Sequence, residues 1–362
     1  MKVLVLSGRF GMGHEMAANA ICEQFRKLDK DTEIVKKDLL EELYPHISKL
    51  IFGGFRLMVE HCHGIYNFIY KMSGKMKVEM QPRGAAIYKK LKKILEKEQP
   101  DVIVCTHPMC VKAIASYKEK TGLSTPLVTC ITDISMHPEW KADQTDLYLA
   151  PTREIKEHLI CEGTKAENIL VTGIPVRQQF LNMDRKHLEN EKEVRRVLVM
   201  GGGLGLMPDL RRLLGKLHSM QSVQTIVITG KNHKMYEEWV NRYEDVKVLG
   251  YTENISKYMR WADLVITKAG GITLFEILHS QVPLFVIHPF LEQEMNNARY
   301  AAERICKVVW GKHEDYIPEL EKLLNDRKLL KQMDENVRHA RKEMIDVSLD
   351  KAVEIMEERM TA

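Results

Sequence analysis

Short apolar runs recur along the chain and alternate with segments of helical period. In the first half of the sequence these runs occupy residues 3–6, 101–105, 127–131, 147–150 and 169–171. Runs of this length, separated by longer segments of helical period, are typical of strands that helices cover on both faces. The alternation predicts βαβ units and therefore an α/β fold with a doubly wound parallel sheet.

The same pattern restarts after a highly charged segment at residues 184–196. The strand-like runs of the second half occupy residues 197–200, 225–228, 246–249, 264–266 and 284–287. A chain of 362 residues also exceeds the size of one ordinary core. We therefore predict two Rossmann-like domains, at residues 1–180 and 181–345, and a helical tail at 346–362 that can return to the first domain.

The charge balance and the cysteines narrow the functional classes. The 54 basic and 50 acidic residues leave a formal net charge of only +4, which does not indicate a nucleic-acid partner. The 7 cysteines form no Cys-x-x-Cys pair, and the N-terminus has no signal-peptide pattern. We therefore expect reduced thiols and a cytoplasmic location. No apolar run reaches the roughly 18 residues of a membrane span, so any membrane contact is expected to be peripheral.

Glycine-rich loops follow the first strand-like run of each predicted domain, at residues 7–14 and 201–205. Neither loop has the Gly-Lys-Ser/Thr ending of a Walker A motif, and the first lacks the full GxGxxG spacing. A P-loop ATPase or a dehydrogenase is therefore disfavoured. Ligands of open α/β sheets bind beyond the carboxyl ends of the strands, so we expect the two domains to face a central cleft that both loops border.

A third glycine segment, residues 267–276, runs from a strand end through paired glycines into a helix. The open N–H groups of a helix start bind anions, and glycines let a phosphate approach the backbone closely. The groups predicted at a bound phosphate are Gly270, Gly271, Ile272 and Thr273. Glu276 lies one helical turn later, where its carboxylate can accept hydrogen bonds from a ribose. The alternative is an ordinary strand-to-helix turn of any α/β sheet.

A series of motifs along nearly the whole chain resembles one enzyme family. The motifs occupy residues 11–14, 132–140, 171–177, 230–232, 249–251, 268–274 and 292–298. Their order and spacing resemble the GT-B glycosyltransferases of the diacylglycerol glucosyltransferase and monogalactosyldiacylglycerol synthase family, relatives of the peptidoglycan N-acetylglucosaminyltransferase. The resemblance implies a GT-B fold and transfer of a hexose from a UDP-sugar to a lipid hydroxyl, with inversion and without a metal or other cofactor.

The chain departs from its relatives in two places. Leu291 and Glu292 stand where relatives commonly carry Pro-Gly, and residues 201–205 read Gly-Gly-Gly-Leu-Gly instead of the more usual Gly-Ala-His-Gly form. By the resemblance, the first change borders the sugar pocket. UDP-glucose and UDP-galactose therefore both remain open as donors.

Inverting transfer needs a base at the acceptor hydroxyl. Asp133, just after a strand, is the first choice for this base, and His14 is the second choice or orients the acceptor. The alternatives are that Asp133 caps the segment beginning at Ile134 and that His14 is an ordinary helix-start residue. The residues predicted around the acceptor are Gly11, Met12, Gly13, His137 and Trp140.

On the donor side, Gln293 and Glu294 are expected to pair with sugar hydroxyls, although a plain polar helix start has the same composition. The resemblance places Gly250 and Tyr251 around the uracil. The other predicted donor contacts are Gly202, Gly203, Gly230, Asn232, Lys268 and Asn297. The sequence has no convincing Asp-x-Asp metal site, and backbone amides at a helix start can neutralise a departing diphosphate without a cation.

Residues 50–97 combine apolar and aromatic side chains with a basic run that includes Lys89, Lys90, Lys92 and Lys93. Such a segment is typical of contact with an anionic membrane surface. The alternative is a core helix followed by a solvated basic helix. We predict a peripheral enzyme at the cytoplasmic face of the cell membrane, with diacylglycerol or a glycosyl-diacylglycerol as acceptor.

Two other functions agree with the same motifs. A relative that lost its lipid specificity would transfer the sugar to a soluble natural product. A nucleotide-sugar sensor would bind the donor and turn nothing over. Both Asp133 and His14 are present, which argues against the sensor.

Overall fold

The computed structural model describes residues 1–9, 12–62, 64–68, 72, 84–181, 194–202, 205, 207, 209–302, 304–311 and 313–361. The chain divides into two compact units, one of residues 1–178 with 344–362 and the other of residues 179–343. Each unit contains a six-stranded sheet in which all paired strands are parallel. The predicted α/β class with two Rossmann-like units is confirmed.

The first unit contains the strands β1 (Lys2–Ser7), β2 (Glu33–Asp38), β3 (Val102–Cys105), β4 (Leu127–Cys130), β5 (Leu147–Ala150) and β6 (Ile169–Val171). Their order in the sheet is β2-β1-β3-β4-β5-β6. The order of strand addition reverses between β1 and β3, which makes their carboxyl ends the topological switch point of this sheet.

Helices flank the first sheet. They are Met12–Leu28, Leu39–Leu43, Ser48–His61, Ala85–Glu98, Pro108–Thr121, Arg153–Cys161 and Leu349–Thr361. The last of these packs against helix Met12–Leu28, and its buried residues Ala352, Val353 and Met356 belong to the same core cluster as Val3 and Phe25. The C-terminal tail thus completes the core of the first unit.

The second unit contains the strands β7 (Arg195–Met200), β8 (Val223–Ile228), β9 (Val246–Leu249), β10 (Leu264–Thr267), β11 (Leu284–Ile287) and β12 (Cys306–Val309). Their order is β12-β11-β10-β7-β8-β9, which is the strand order of a Rossmann sheet. The switch point of this sheet lies between β7 and β10.

The helices that follow the strands of the second unit cover its sheet. They are Leu210–His218, His233–Trp239, Ile255–Trp261, Gly271–Ser280, Glu292–Ala302, Ile317–Asn325 and Arg327–Met344. A further short helix, Gln178–Leu181, begins at the last residue of the first unit's main segment. Among all the described residues, no helix has both the length and the apolar character needed to cross a bilayer.

Candidate active site

In the first unit, polar residues gather at the carboxyl ends of three adjacent strands. Ser7 ends β1, Thr106 and His107 follow β3, and Thr132 and Asp133 follow β4. The first turn of helix Met12–Leu28 adds one more polar side chain, that of His14. We call His14, Thr106, His107, Thr132 and Asp133 the His14 cluster. It lies at the switch point where open α/β sheets bind their ligands.

Hydrogen bonds determine which nitrogen of His14 carries the proton. The Nδ1 atom lies 3.0 Å from the main-chain oxygen of Thr106 and 2.7 Å from the hydroxyl of Thr132. A carbonyl oxygen can only accept a hydrogen bond, so Nδ1 must donate and carry the hydrogen. In the neutral ring the lone pair then lies on Nε2. The cluster therefore contains an imidazole nitrogen that can accept a proton.

The charge state of His14 follows from its surroundings. Burial lowers its pKa, against the opposing influence of the Asp133 carboxylate and of the hydrogen bond with Thr106. An imidazole whose pKa lies below its ordinary value of about 6.5 is mostly neutral at pH 7. The ring of His14 is thus in the form that can act as a base.

Asp133 is held by a buried tryptophan. Its Oδ2 atom accepts a hydrogen bond of 2.8 Å from Nε1 of Trp140, whose ring is fully buried. Trp140 was predicted as an acceptor contact. Its ring has no exposed surface, and its indole N–H instead holds the Asp133 carboxylate in place. His137 is also buried, and its Nδ1 atom accepts a long hydrogen bond of 3.4 Å from the amide of Glu139.

The other residues predicted around the acceptor lie in the glycine loop after β1. Met12 and Gly13 are partly exposed at the start of helix Met12–Leu28. Gly11 lies outside the described residues. Met12 and Gly13 therefore directly precede His14, which belongs to the cluster.

In the second unit, the loops after β7 and β10 come together at the switch point. A side chain built at Gly202 would lie 3.4 Å from Cε of Lys268, so these two loops are in van der Waals contact. Gly203 lies outside the described residues. This contact places a lysine side chain next to a glycine loop, an arrangement suited to a phosphate.

Helix Gly271–Ser280 begins with backbone amides that have no hydrogen-bond partner within the helix. The N-cap Gly270 has no side chain to offer, and the first hydrogen bond of the helix joins the amide of Leu274 to the oxygen of Gly270 at 3.0 Å. The amides of the preceding residues, Gly271, Ile272 and Thr273, are therefore free to bind an anion at the positive end of the helix.

Next to this helix start lies a partly buried ion pair. Lys268 Nζ and Glu294 Oε1 are 2.9 Å apart, and the amide of the Asn297 side chain donates a hydrogen bond of 2.9 Å to the oxygen of Ala269. Among the buried oxygens that have no hydrogen-bond partner in the described part of the chain, three belong to this region: Glu294 Oε2, Asn297 Oδ1 and Thr267 Oγ1. Because buried polar atoms are nearly always paired, these oxygens mark a place for a hydroxyl donor.

Other predicted donor residues have structural roles. Asn232 caps helix His233–Trp239, with its Oδ1 accepting a hydrogen bond of 3.0 Å from the amide of Met235, and its Nδ2 lies 3.3 Å from the oxygen of Gly205. Gly230 precedes it with a positive φ of 58°. These residues order the loop after β8.

The remaining predicted donor residues lie near the carboxyl ends of β9, β10 and β11. Gly250 and Tyr251 follow β9, and the ring of Tyr251 is 48% exposed. Glu276 is buried in helix Gly271–Ser280, and Gln293 is half-buried at the start of helix Glu292–Ala302. The structure brings no three His, Cys, Asp or Glu side chains of the described residues together as a group that could hold a metal ion.

Sequence reasoning missed Thr106 and His107 and gave Thr132 no separate role. The available signal was position, since Thr106 directly follows β3, and Thr132 and Asp133 come shortly after the end of the neighbouring parallel strand β4. Strand order is needed to recognise that β1, β3 and β4 are adjacent, and the sequence alone does not provide it.

Solved structures show the class of fold. MurG of Acinetobacter baumannii superimposes with a TM-score of 0.64 at 13% identity, over 99% of both chains. The UDP complex of S. aureus MnaA superimposes with a TM-score of 0.62 at 15% identity, over 99% of this chain and 97% of that one. At these identities the likeness shows the fold alone, which is GT-B.

Sequence comparison shows the family. Residues 14–176 match the family described as monogalactosyldiacylglycerol (MGDG) synthase, and residues 196–353 match the glycosyltransferase family 28 C-terminal domain. The processive diacylglycerol beta-glucosyltransferase of Bacillus subtilis is 30% identical over 352 residues, covering 93% of this chain and 90% of that one. The chain therefore belongs to the diacylglycerol glucosyltransferase and MGDG synthase family of GT-B glycosyltransferases. The predicted family and enzyme class are confirmed.

Proposed function

We propose that this glycosyltransferase moves a hexose from a UDP-sugar to the hydroxyl of diacylglycerol or a glycosyl-diacylglycerol, with inversion. The names of the most similar curated relatives support the lipid acceptor, and they favour glucose as the sugar. The match of residues 14–176 to MGDG synthase keeps galactose as the second choice. The observation that carries the proposal is the neutral His14 with its lone pair on Nε2.

His14 is the base of the proposed reaction, in place of Asp133, which was the first choice from sequence. The acceptor hydroxyl gives its proton to Nε2, its oxygen bonds to the anomeric carbon, and the bond between that carbon and the diphosphate oxygen breaks. The imidazolium formed is stabilised by Asp133, because this carboxylate favours the charged form of His14. Trp140 holds the carboxylate in place through its indole N–H.

The donor would bind at the Gly271 helix start. The free amides of Gly271, Ile272 and Thr273 would stabilise the departing diphosphate, with the ammonium of Lys268 nearby, so the proposed reaction requires no metal cofactor. The unpaired oxygens of Glu294 and Asn297 would accept hydrogen bonds from sugar hydroxyls. By the family resemblance, the other donor contacts are Glu276 with the ribose, Gln293 with the sugar, and Gly250 and Tyr251 with the uracil.

Membrane contact is proposed for an apolar patch of the first unit. Large apolar side chains are exposed there, with Leu50 at 78% and Phe68 at 65%, and the patch also includes Ile47, Leu57 and Ile65. Exposed large apolar side chains concentrated in one segment of the chain are typical of an interaction surface. We propose that it docks the enzyme peripherally on the cytoplasmic face of the cell membrane, close to its lipid acceptor.

A basic run on helix Ala85–Glu98 supports the proposed contact with an anionic membrane. Lys89, Lys92 and Lys93 are exposed on helix Ala85–Glu98. Lys90 differs, since it donates a hydrogen bond to the oxygen of Leu43 within the unit. Several basic residues of the run predicted from sequence, between residues 71 and 83, lie outside the described residues. Each exposed lysine near an anionic surface is worth about 1 kcal/mol of attraction.

Product analysis tests the proposed function. The purified protein is incubated with UDP-glucose, UDP-galactose or UDP-N-acetylglucosamine, with diacylglycerol in anionic vesicles or with a panel of soluble aglycones. We expect UDP release that depends on the vesicles and yields a hexosyl-diacylglycerol. Turnover with soluble aglycones alone would instead support the natural-product alternative. UDP-sugar binding without turnover on any acceptor would support the sensor.

A further inference from the structure

His107, a residue of the His14 cluster to which the proposed reaction assigns no part, is fixed by the backbone. It is the N-cap of helix Pro108–Thr121, and its Nδ1 atom accepts a hydrogen bond of 3.1 Å from the amide of Met109. An Nδ1 atom that accepts from an amide carries no hydrogen, so the hydrogen of the neutral ring lies on Nε2. The helix start therefore determines both the position and the tautomer of this ring.

The fixed ring of His107 packs against the ring of His14. Their centroids are 4.6 Å apart and their planes meet at 70°, which is an edge-to-face contact. Trp140 lies further away, with its ring centroid 6.2 Å from that of His14. Thr106 and Thr132 contact the ring of His14 through hydrogen bonds at Nδ1, and the Thr106 hydroxyl also donates a hydrogen bond to the main-chain oxygen of His14. Thus the contact with His107 constrains the plane of the ring, which those hydrogen bonds leave free to tilt.

We infer that His107 is a positioning residue, whose ring holds His14 in the rotamer that the base requires and shields one side of the His14 ring from water. The inference rests on the proposed role of His14 as the base. It separates two tasks of one side chain, because Nδ1 of His107 caps a helix while the ring as a whole packs against His14.

The charges around His14 agree with this role. Burial and the neighbouring His14 hold the pKa of His107 well below its ordinary value, so His107 adds no fixed charge next to the base. The groups that act on the charge of His14 are Asp133, which favours the cation, and His107, which would disfavour it if protonated. Loss of the His107 ring would admit water to His14, and its pKa would rise towards the ordinary value of about 6.5.

Two substitutions distinguish the role of His107 as a helix cap from the packing of its ring against His14. Asn is among the best N-cap residues, so His107→Asn keeps the cap and removes the ring. His107→Phe keeps a ring and removes the acceptor of the cap. Both variants are assayed for Tm, for kcat and KM with UDP-glucose, and for the pH dependence of kcat.

We expect opposite results from the two variants. His107→Asn should keep the wild-type Tm and the KM for UDP-glucose, lose roughly tenfold to a hundredfold in kcat, and shift the acid limb of the pH profile upward. His107→Phe should lower Tm by about 2–4 °C because the cap is lost, and it should lose less kcat and shift the acid limb less than His107→Asn, because a ring still packs against His14.

A His14→Ala variant in the same assay distinguishes failure of the role inferred for His107 from failure of the proposed role of His14. If His14→Ala is inactive and His107→Asn has the wild-type kcat and pH profile, His107 is only a helix cap and the inference is overturned, while the proposed function stands. If His14→Ala keeps the wild-type turnover, the role of His14 as the base and the inference about His107 are both overturned, although the transfer reaction itself stands. Equal losses of kcat in His107→Asn and His107→Phe would also overturn the inference, because the ring would then have no specific role.

Discussion

His14 combines the two properties that a general base requires, a lone pair and a neutral ring near pH 7. The contact of Nδ1 with the oxygen of Thr106 leaves the lone pair on Nε2, and burial keeps the pKa low. Asp133, engaged with the buried Trp140, instead acts on the charge of His14. At the scale of single residues, the structure therefore favours His14 as the base and Asp133 as the group that stabilises its charged form. The order of motifs along the chain did not reveal these roles.

Removal of the His14 imidazole should abolish most of the turnover. We expect His14→Ala to lower kcat by roughly 10²–10⁴-fold, the range for a lost general base, while the Kd for UDP stays unchanged. His158, an exposed histidine on helix Arg153–Cys161, provides the control, and His158→Ala should behave as wild type. Equal losses in the two variants would show that the effect is not specific to the cluster.

The Asp133→Asn variant keeps an oxygen for the Trp140 N–H and removes the charge. Because Asp133 raises the pKa of His14, its neutralisation should lower that pKa further, so the acid limb of the kcat/KM profile moves to lower pH. Turnover should also fall, by roughly 10²-fold or more, since the imidazolium loses its partner. An acid limb that stays in place or moves to higher pH would contradict the proposed coupling.

Two substitutions in the second unit should distinguish residues that contact the nucleotide from residues that contact the sugar. Glu276→Ala should weaken binding of UDP itself, by about 1–3 kcal/mol, because a ribose hydroxyl loses a buried partner. Gln293→Ala should weaken UDP-glucose more than UDP, since only the sugar would contact this side chain. Calorimetry with both ligands checks the pair, and equal losses for both ligands in both variants would refute the assignment.

At the scale of elements, the sequence predicts ten strands and misses one edge strand of each sheet. Ten strands with mainly apolar sequences are present near their predicted positions. The two missed strands, β2 and β12, are the outermost strands at one edge of each sheet and carry charged or half-exposed residues. These two strands are only partly buried, so their sequences lack the apolar run on which the prediction depends.

Only part of the candidate site could likewise be predicted from the sequence. Gly270, Gly271 and Lys268 were predictable, because a strand running through glycines into a helix is a local pattern. The partners of His14 and Asp133 were not, since Thr106 lies 92 residues from His14 and reaches it only through the order β1-β3-β4. The burial of Trp140 likewise depends on the core beneath it rather than on its motif.

The loop after β7 depends on a glycine for which no other residue can substitute. Gly205 has a φ of +66°, and a side chain there would lie 2.0 Å from the oxygen of Thr229. We expect Gly205→Ala to lower the free energy of unfolding by about 2 kcal/mol or more and to weaken UDP binding. Gly54→Ala, on helix Ser48–His61 with no atom near the added methyl group, should leave the stability unchanged or slightly raised. Equal stability of the two variants in urea titrations would contradict the steric argument.

At the scale of the whole molecule, each unit carries one part of the proposed chemistry. The first unit contains the base, its carboxylate and the exposed apolar patch, and the second contains the Gly271 helix start and the Lys268–Glu294 pair. The acceptor and the donor are therefore proposed to bind to different units. Substitutions in one unit should then affect one substrate and leave affinity for the other unchanged.

Vesicle binding tests this separation. The triple variant Lys89→Gln, Lys92→Gln, Lys93→Gln should lose binding to anionic vesicles, and the wild-type protein should lose it as salt rises, because charges more than about 10 Å apart are screened at 0.1 M. Activity on vesicle-borne acceptor should fall while the Kd for UDP is unchanged. The matched control is Lys156→Gln on helix Arg153–Cys161. Unaltered vesicle binding of the triple variant would support the solvated-helix alternative.

The most direct test of the account is the anomeric configuration of the product formed from UDP-glucose and diacylglycerol, measured by NMR for the wild type and for His14→Ala. The donor is α-linked, so direct displacement with His14 as the base predicts a β-glucosyl lipid from the wild type and almost none from the variant. An α-linked product, or a variant that forms the β-linked lipid at the wild-type rate, would contradict the account.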